Sequence, residues 1–183
     1  MKRIKIVTFA TFCSIALLLA VTLMASAEAS RTYFTATEYD CFVGLSAEPW
    51  MEGNVMHMRD VVHANVDVSD TPEVNGINTT FADAEFNMKT DGAVIRGTLS
   101  LQPDGIDGTW EGTWIFTGNK GMGVAQAVAH GTGALSGKTL FMKLYDAAPD
   151  DPQYENLAAM CAGIGDPEAI VLIEGYILNS GTP

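Results

Sequence analysis

The sequence predicts an all-β domain: an eight-stranded, mostly antiparallel β-barrel, with one short helix in the 146–168 loop. Three observations predict it. Beyond residue 30 the dominant apolar period is two rather than 3.6. Turn-forming residues break the chain at short intervals. No later segment reads as a long buried helix. Eight short strands in one domain fit a sandwich or a barrel, and closure into a barrel removes exposed sheet edges.

The first element is a leader. Met1-Lys-Arg-Ile-Lys5 is basic, Ile6 to Met24 is apolar, and Ala25-Ser-Ala27-Glu-Ala29 carries small residues at A-x-A spacing. These are the three parts of a secretory signal peptide, covering 1–27, with cleavage after Ala27 or Ala29. An uncleaved anchor is the alternative, since 19 residues could just span a bilayer. Thr8, Thr11, Ser14 and Thr22 dilute the run and favour the cleaved form. Residues 30–183 then form a single β-barrel domain, secreted or periplasmic. Without the leader 7 basic residues face 22 acidic ones, a net charge of −15. That charge excludes nucleic acid as a partner and makes anionic membrane surfaces poor ones. No stable membrane insertion is expected once the leader is removed.

Cys13 leaves with the leader, so Cys41 and Cys161 are expected to form a disulfide closing a loop of 120 residues. Two free buried thiols are the alternative.

Strands follow at 32–43, 54–68, 78–88, 93–102, 109–117, 122–130, 138–145 and 169–177. The fourth puts Ile95, Leu99 and Leu101 on one face against Arg96, Thr98 and Ser100. The fifth puts Trp110, Trp114 and Phe116 opposite Thr109, Glu111 and Thr113. Asp91-Gly92, Pro103-Asp-Gly105, Gly118-Asn-Lys-Gly121 and Gly131-Thr-Gly133 supply the turns. In the 146–168 loop, Gln153 to Met160 has two turns of helical character, with Asp150 or Asp151 near its start and Gly163 past its end.

The stretch Ala129-His-Gly-Thr-Gly-Ala-Leu-Ser-Gly137, followed by the strand from Lys138 to Tyr145, resembles the glycine-rich hairpin of the dirigent and allene oxide cyclase barrel superfamily. The resemblance implies a calycin-like barrel over residues 32–177. Some members of that superfamily are cyclases or stereochemical guides that hold an apolar substrate in the barrel, and several are trimers. Their catalytic residues have no position-by-position match in this chain.

His57-Met-Arg-Asp-Val-Val-His63 is the first candidate site. On a strand its histidines lie about 20 Å apart, and on a helix they point to different faces, so they cannot share one metal ion. No metal or cofactor is expected. Alternation puts Met56, Met58, Val62, Ala64, Val66 and Val68 on a core face, and His57, Arg59, His63, Asn65 and Asp67 on the solvent face. Alternatively, a bulge or polar lumen turns His57 and Arg59 inward, where they would suit a carboxylate, enolate or carbonyl oxygen.

Trp110 and Trp114, flanking Gly112, are the second candidate. They either pack in the core or frame a groove for an apolar ligand, deepened by Gly97. Glu174 in the last strand is an acid–base candidate if it faces inward and a solvated residue if it does not. Asp146, Asp150, Asp151 and Glu155 form an acidic surface run without calcium-loop spacing. Asn78-Thr-Thr80 fits a glycosylation sequon, a short pattern that is common by chance.

The function carried forward is a small, mostly apolar ligand bound in the barrel by Trp110, Trp114, His57 and Arg59. A structural barrel that forms a homo-oligomer through its outer face is one alternative. A cyclase- or isomerase-like enzyme using Arg59, His57 or Glu174 is the other.

Overall fold

The structure, a computed structural model, describes residues 29–180 except residue 121. The expected leader, 1–27, lies outside the described residues. Among the described residues nine strands form one antiparallel sheet: β1 (Ser30–Gly44), β2 (Trp50–Glu52), β3 (Val55–Ser69), β4 (Gly76–Asn87), β5 (Gly92–Pro103), β6 (Trp110–Asn119), β7 (Met122–Gly131), β8 (Lys138–Asp146) and β9 (Asp166–Asn179). Helix α1 (Tyr154–Met160) lies between the last two strands. The spatial order is β1-β9-β8-β7-β6-β5-β4-β3-β2, and β1 also pairs with β3. That extra pairing closes eight strands into a barrel. The ninth, β2, is additional to the expected set. It extends the wall beside the start of β3 and is too short to show alternation.

The two ends of the barrel differ. At the end where β1 begins and β3 ends, the interior is filled by Phe34, Leu101, Trp110, Leu140, Ile173 and Ile177. Two single 3-10 turns, Pro72–Val74 and Gly133–Leu135, add Val74 and Leu135 to this plug, each about 1% exposed. The Trp110 indole N–H donates to the Glu73 carbonyl at 2.6 Å, pinning the first turn to the wall. The glycine-rich hairpin supplies the second turn, where Gly133 takes φ +53.

At the opposite end the inward positions become small. Ala82, Ala84, Ala93, Ala125 and Ala127 leave a lumen of about 500 Å³. The barrel is therefore plugged below and hollow above, because inward residue size changes along the strands.

A second apolar cluster lies outside the wall. Tyr39, Cys41 and Ile170 face outward and are covered by Ala147, Leu157 and Cys161. Helix α1 spans nearly the stretch its sequence signals predict. Asp151 accepts the Gln153 amide at 2.9 Å through its side chain, and Gly163 follows with φ +78. Cys41 and Cys161 form the expected disulfide, with Cα atoms 5.5 Å apart. Such a bond fits an oxidising compartment. Among the described residues, no helix is long and apolar enough to cross a membrane.

Because the crosslink closes a loop of 120 residues, removing it frees much of the unfolded chain. Replacing both cysteines with serine is expected to cost roughly 2–5 kcal/mol in urea denaturation. A midpoint unchanged from wild type would mean that α1 is held by packing alone.

Candidate functional site

The site begins with a break in alternation on β3. Met58 pairs with Ala84 and Val61 pairs with Ala82, so Arg59 and Asp60 together oppose Asp83. This is a β-bulge, and Asp60 adopts φ +50, a region that aspartate enters more readily than most residues. The bulge is held from two sides. The Ser46 hydroxyl donates to the Asp60 carboxylate at 2.7 Å, and the Asp60 amide donates to Asp83 at 3.1 Å.

The extra residue reverses the facing of everything after it. Val61, His63 and Asn65 line the lumen together with Met58, and Asp67 is buried at the same parity with 2% exposure. Val62, Ala64, Val66 and Val68 turn outward, and Val68 is 43% exposed. The expected core face of β3 is thus its outer face beyond Asp60, a correction that one inserted residue explains.

His57 and Arg59, before the bulge, also lie outside the lumen. The His57 ring stacks on Trp50 with centroids 5.1 Å apart, and the Arg59 guanidinium sits 5.5 Å from the same indole. Arg59 pairs with Glu85 at 3.3 Å and Asp83 at 3.7 Å. The bulge weighed for this stretch exists, but it turns His63 inward rather than His57 and Arg59.

Two further irregularities lie near the same rim. Phe42 pairs with His63 and Gly44 with Val62, leaving Val43 unpaired. Asp40 pairs with Ala169 and Cys41 with Pro167, leaving Glu168 unpaired. Glu168 thereby reaches the lumen and meets His63, with Nε2 to Oε2 at 2.8 Å.

The resulting polar wall runs along β1, β3 and β4. Glu38 stands opposite Asp67, and Asn65 opposite Asn78. Glu38, Asn65, Asp67, Asn78 and Thr80 are all buried. Asn78 donates to Glu38 at 3.0 Å, and Asn65 accepts the Cys41 amide at 3.4 Å. The Oδ1 atoms of Asp40, Asp67 and Asn78 have no hydrogen-bond partner. The sequon asparagine is therefore an interior residue, out of reach of glycosylation in the folded chain.

Burial sets the protonation of this wall. Desolvation, then the negative charge of Glu38, pushes Asp40 up to about 7, although His63 pulls against the rise. Burial first, and then Glu38, holds Asp67 well above the usual carboxylate range. For His63 burial opposes the charged ring. The Glu168 hydrogen bond and the charges of Asp40, Glu168 and Glu38 outweigh it and raise the imidazole. The same hydrogen bond lowers Glu168. Asp146, at the rim, is raised by burial.

Opposite the polar wall, Ile95, Leu99, Trp114, Phe116, Met142 and Leu144 make an apolar one. Of the expected tryptophan pair, Trp114 lines the lumen, whereas Trp110 belongs to the plug. No groove opens at Gly112, where a Cβ would lie 2.6 Å from the Ala129 Cα. Gly97 leaves no groove either, since Trp114 covers it and a Cβ there would meet the indole Nε1 at 2.6 Å. Glu174 is exposed and pairs in register with Lys143 on the outer wall.

Among the described residues, Asp40, His63 and Glu168 are the one group whose potential metal-ligand atoms lie within 4.8 Å of one another. His63 and Glu168 already satisfy each other there. His57 takes no part, as its geometry on the strand requires.

The Asp40 shift fixes a pH dependence of stability. A carboxyl raised on folding costs nothing where both states are protonated, below about pH 4. The cost grows as pH rises towards about 7 and is constant above it. Asp40→Asn is therefore expected to raise Tm more at pH 8 than at pH 4 in paired thermal melts. The same change in Tm at both pH values would contradict the burial of this carboxyl.

No family model, curated protein or solved structure matches the chain, so the functional reading rests on its own geometry.

Proposed function

We propose that this is an exported protein whose barrel takes up a small, mostly apolar molecule through its open end. The observation that carries the reading is the lumen of about 500 Å³, plugged at one end and walled on one side by apolar and aromatic side chains. Ligand sites in barrels have this character, a mostly apolar surface with a few polar groups that fix orientation. A ligand that buries about 200 Å² of apolar surface gains roughly 5 kcal/mol at 25 cal/mol/Å², before ordering costs. The leader and the disulfide together support export to a secreted or periplasmic location. The likeness of the 129–137 hairpin to the dirigent and allene oxide cyclase superfamily is in keeping with a substrate-holding barrel.

One observation favours a second role for the outer wall. Beyond the bulge, Val62, Ala64 and Val68 on β3 face outward beside Ile77 and Phe81 on β4, and Phe81 is 51% exposed, whereas Val66 packs against the Tyr39 cluster. An outward apolar stripe of this kind supports self-association into a homo-oligomer.

Titration with Nile red, a neutral probe whose emission responds to polarity, tests the first reading. Wild type is expected to bind it. Trp114→Ala should weaken binding by about tenfold, and Ala84→Leu should do the same by filling the lumen, without the cost of about 1–3 kcal/mol that overpacking brings. No binding by wild type, together with an easily unfolded Ala84→Leu, would leave the barrel as a filled structural core.

Sedimentation velocity tests the second role: an oligomer in wild type that dissociates in Phe81→Glu is expected. A monomer at all concentrations would refute it.

A further inference from the structure

The ligand's chemical class can be read from the polar wall, given that the lumen binds a ligand at all. We infer that the molecule is an apolar amine, seated with its ammonium group against Glu38, Asp40 and Asn78 and its apolar body against Trp114 and Phe116. Three features support this choice.

The first is charge. Glu38, Asp40, Asp91, Asp146 and Glu168 line the lumen, and His63 is its one titratable base. Among the described residues, no lysine or arginine lines it. The second is hydrogen-bonding sense. Asn78 is 2% exposed and lines the lumen, yet its Oδ1 accepts nothing, and the Asp40 Oδ1 is equally unpartnered. Both orphan atoms on this wall are acceptors, whereas the unpartnered donor across the lumen, the Trp114 Nε1–H, lies packed against Gly97. A ligand that satisfies them must bring donors, and a primary ammonium brings three with a positive charge. The third is the opposite wall, whose Ile95, Trp114, Phe116 and Met142 offer apolar and aromatic surface, with the Trp114 indole N–H as their one unpartnered polar atom. An anion would meet the carboxylates, and a hydrophilic cation would leave the aromatic wall dry and unfilled.

In the empty protein, protons relieve the crowded carboxylates. Asp40 faces Glu38 on its own strand, His63 across β3, Asp146 on β8 and Glu168 on β9, and its carboxyl is held near 7. An ammonium takes the place of that proton. Affinity for the amine should therefore fall by up to about tenfold per pH unit below about 7. Above that value it should be level until the amine itself deprotonates.

The test is calorimetric titration of the full mature protein, in EDTA so that no metal ion occupies the carboxylates. Three probes share one apolar body: naphthylethylamine, naphthylethanol and naphthylacetate. At pH 8 the amine should bind at least about tenfold tighter than the alcohol, with the carboxylate weakest. Asp40→Asn and Glu38→Gln should each cost the amine about tenfold and leave the alcohol unchanged. Glu174→Gln removes a charge from the outer wall and should change neither affinity, which separates local contact from the field of the whole chain.

If the alcohol or the carboxylate binds as tightly as the amine, the amine assignment fails and the lumen-binding reading survives. If none of the three binds, the lumen-binding reading fails and this inference with it. Should either lumen variant fail to fold, the wild-type series and its pH dependence decide alone.

Discussion

The site depends on one extra residue in β3. Arg59 and Asp60 share the place opposite Asp83, and the chain beyond them is turned by one position. Because side chains alternate strictly, this single insertion exchanges the two faces of the strand for the rest of its length. It carries His63, Asn65 and Asp67 inward and sends four apolar residues out. Ser46 and Asp83 anchor the bulge. Without it, β3 would present an apolar interior, and the inward carboxyls of β1 would lose the polar neighbours His63, Asn65 and Asp67.

A second constraint works on β1. The disulfide joins Cys41 to Cys161 beside α1, outside the wall. Tyr39 and Cys41 must then face outward, so Ala36, Glu38 and Asp40 face in. Two carboxyls are thereby forced beside the inward groups of β3, at the seam where β1 closes the barrel. Burying such groups without partners is costly. The structure leaves three of their acceptor atoms unmatched, while it plugs the far end with well-packed apolar side chains. A barrel selected only for stability would have little use for that contrast. Its location, at the inner surface of a hollow end, ties the cost to what enters there.

Much of this fold was legible in the sequence. Alternation on β5 and β6, the turn residues between them and the short helix all lie where the pattern puts them, because the ordinary strand period and turn chemistry operate there undisturbed. The disulfide was legible from the cysteine count and the export expected from the leader-like start. The polar wall was not. On β3 the alternation breaks only at Asp60 and Val61, which fall on the apolar and polar parities respectively; the pattern resumes in the same phase beyond them, so the break does not by itself report that two residues oppose one. The facing of Glu38 and Asp40 was recoverable in principle, but only by joining the Cys41 crosslink to the position of α1 outside the barrel. Trp110 and Trp114 were placed on the correct face, yet a shared face does not distinguish plug from lumen. That distinction depends on the two 3-10 turns that bring Val74 and Leu135 over one end.

The central claim is therefore the reversed facing of β3 beyond Asp60, and adjacent residues test it most directly. Single cysteines at positions 67 and 68, introduced as Asp67→Cys and Val68→Cys with the native disulfide intact, can be titrated with a polar maleimide under native conditions. The account predicts rapid labelling of the Val68→Cys thiol and protection of the Asp67→Cys thiol until the protein unfolds. Rapid labelling at position 67 with protection at 68 would return the apolar face of β3 to the core and remove the polar wall.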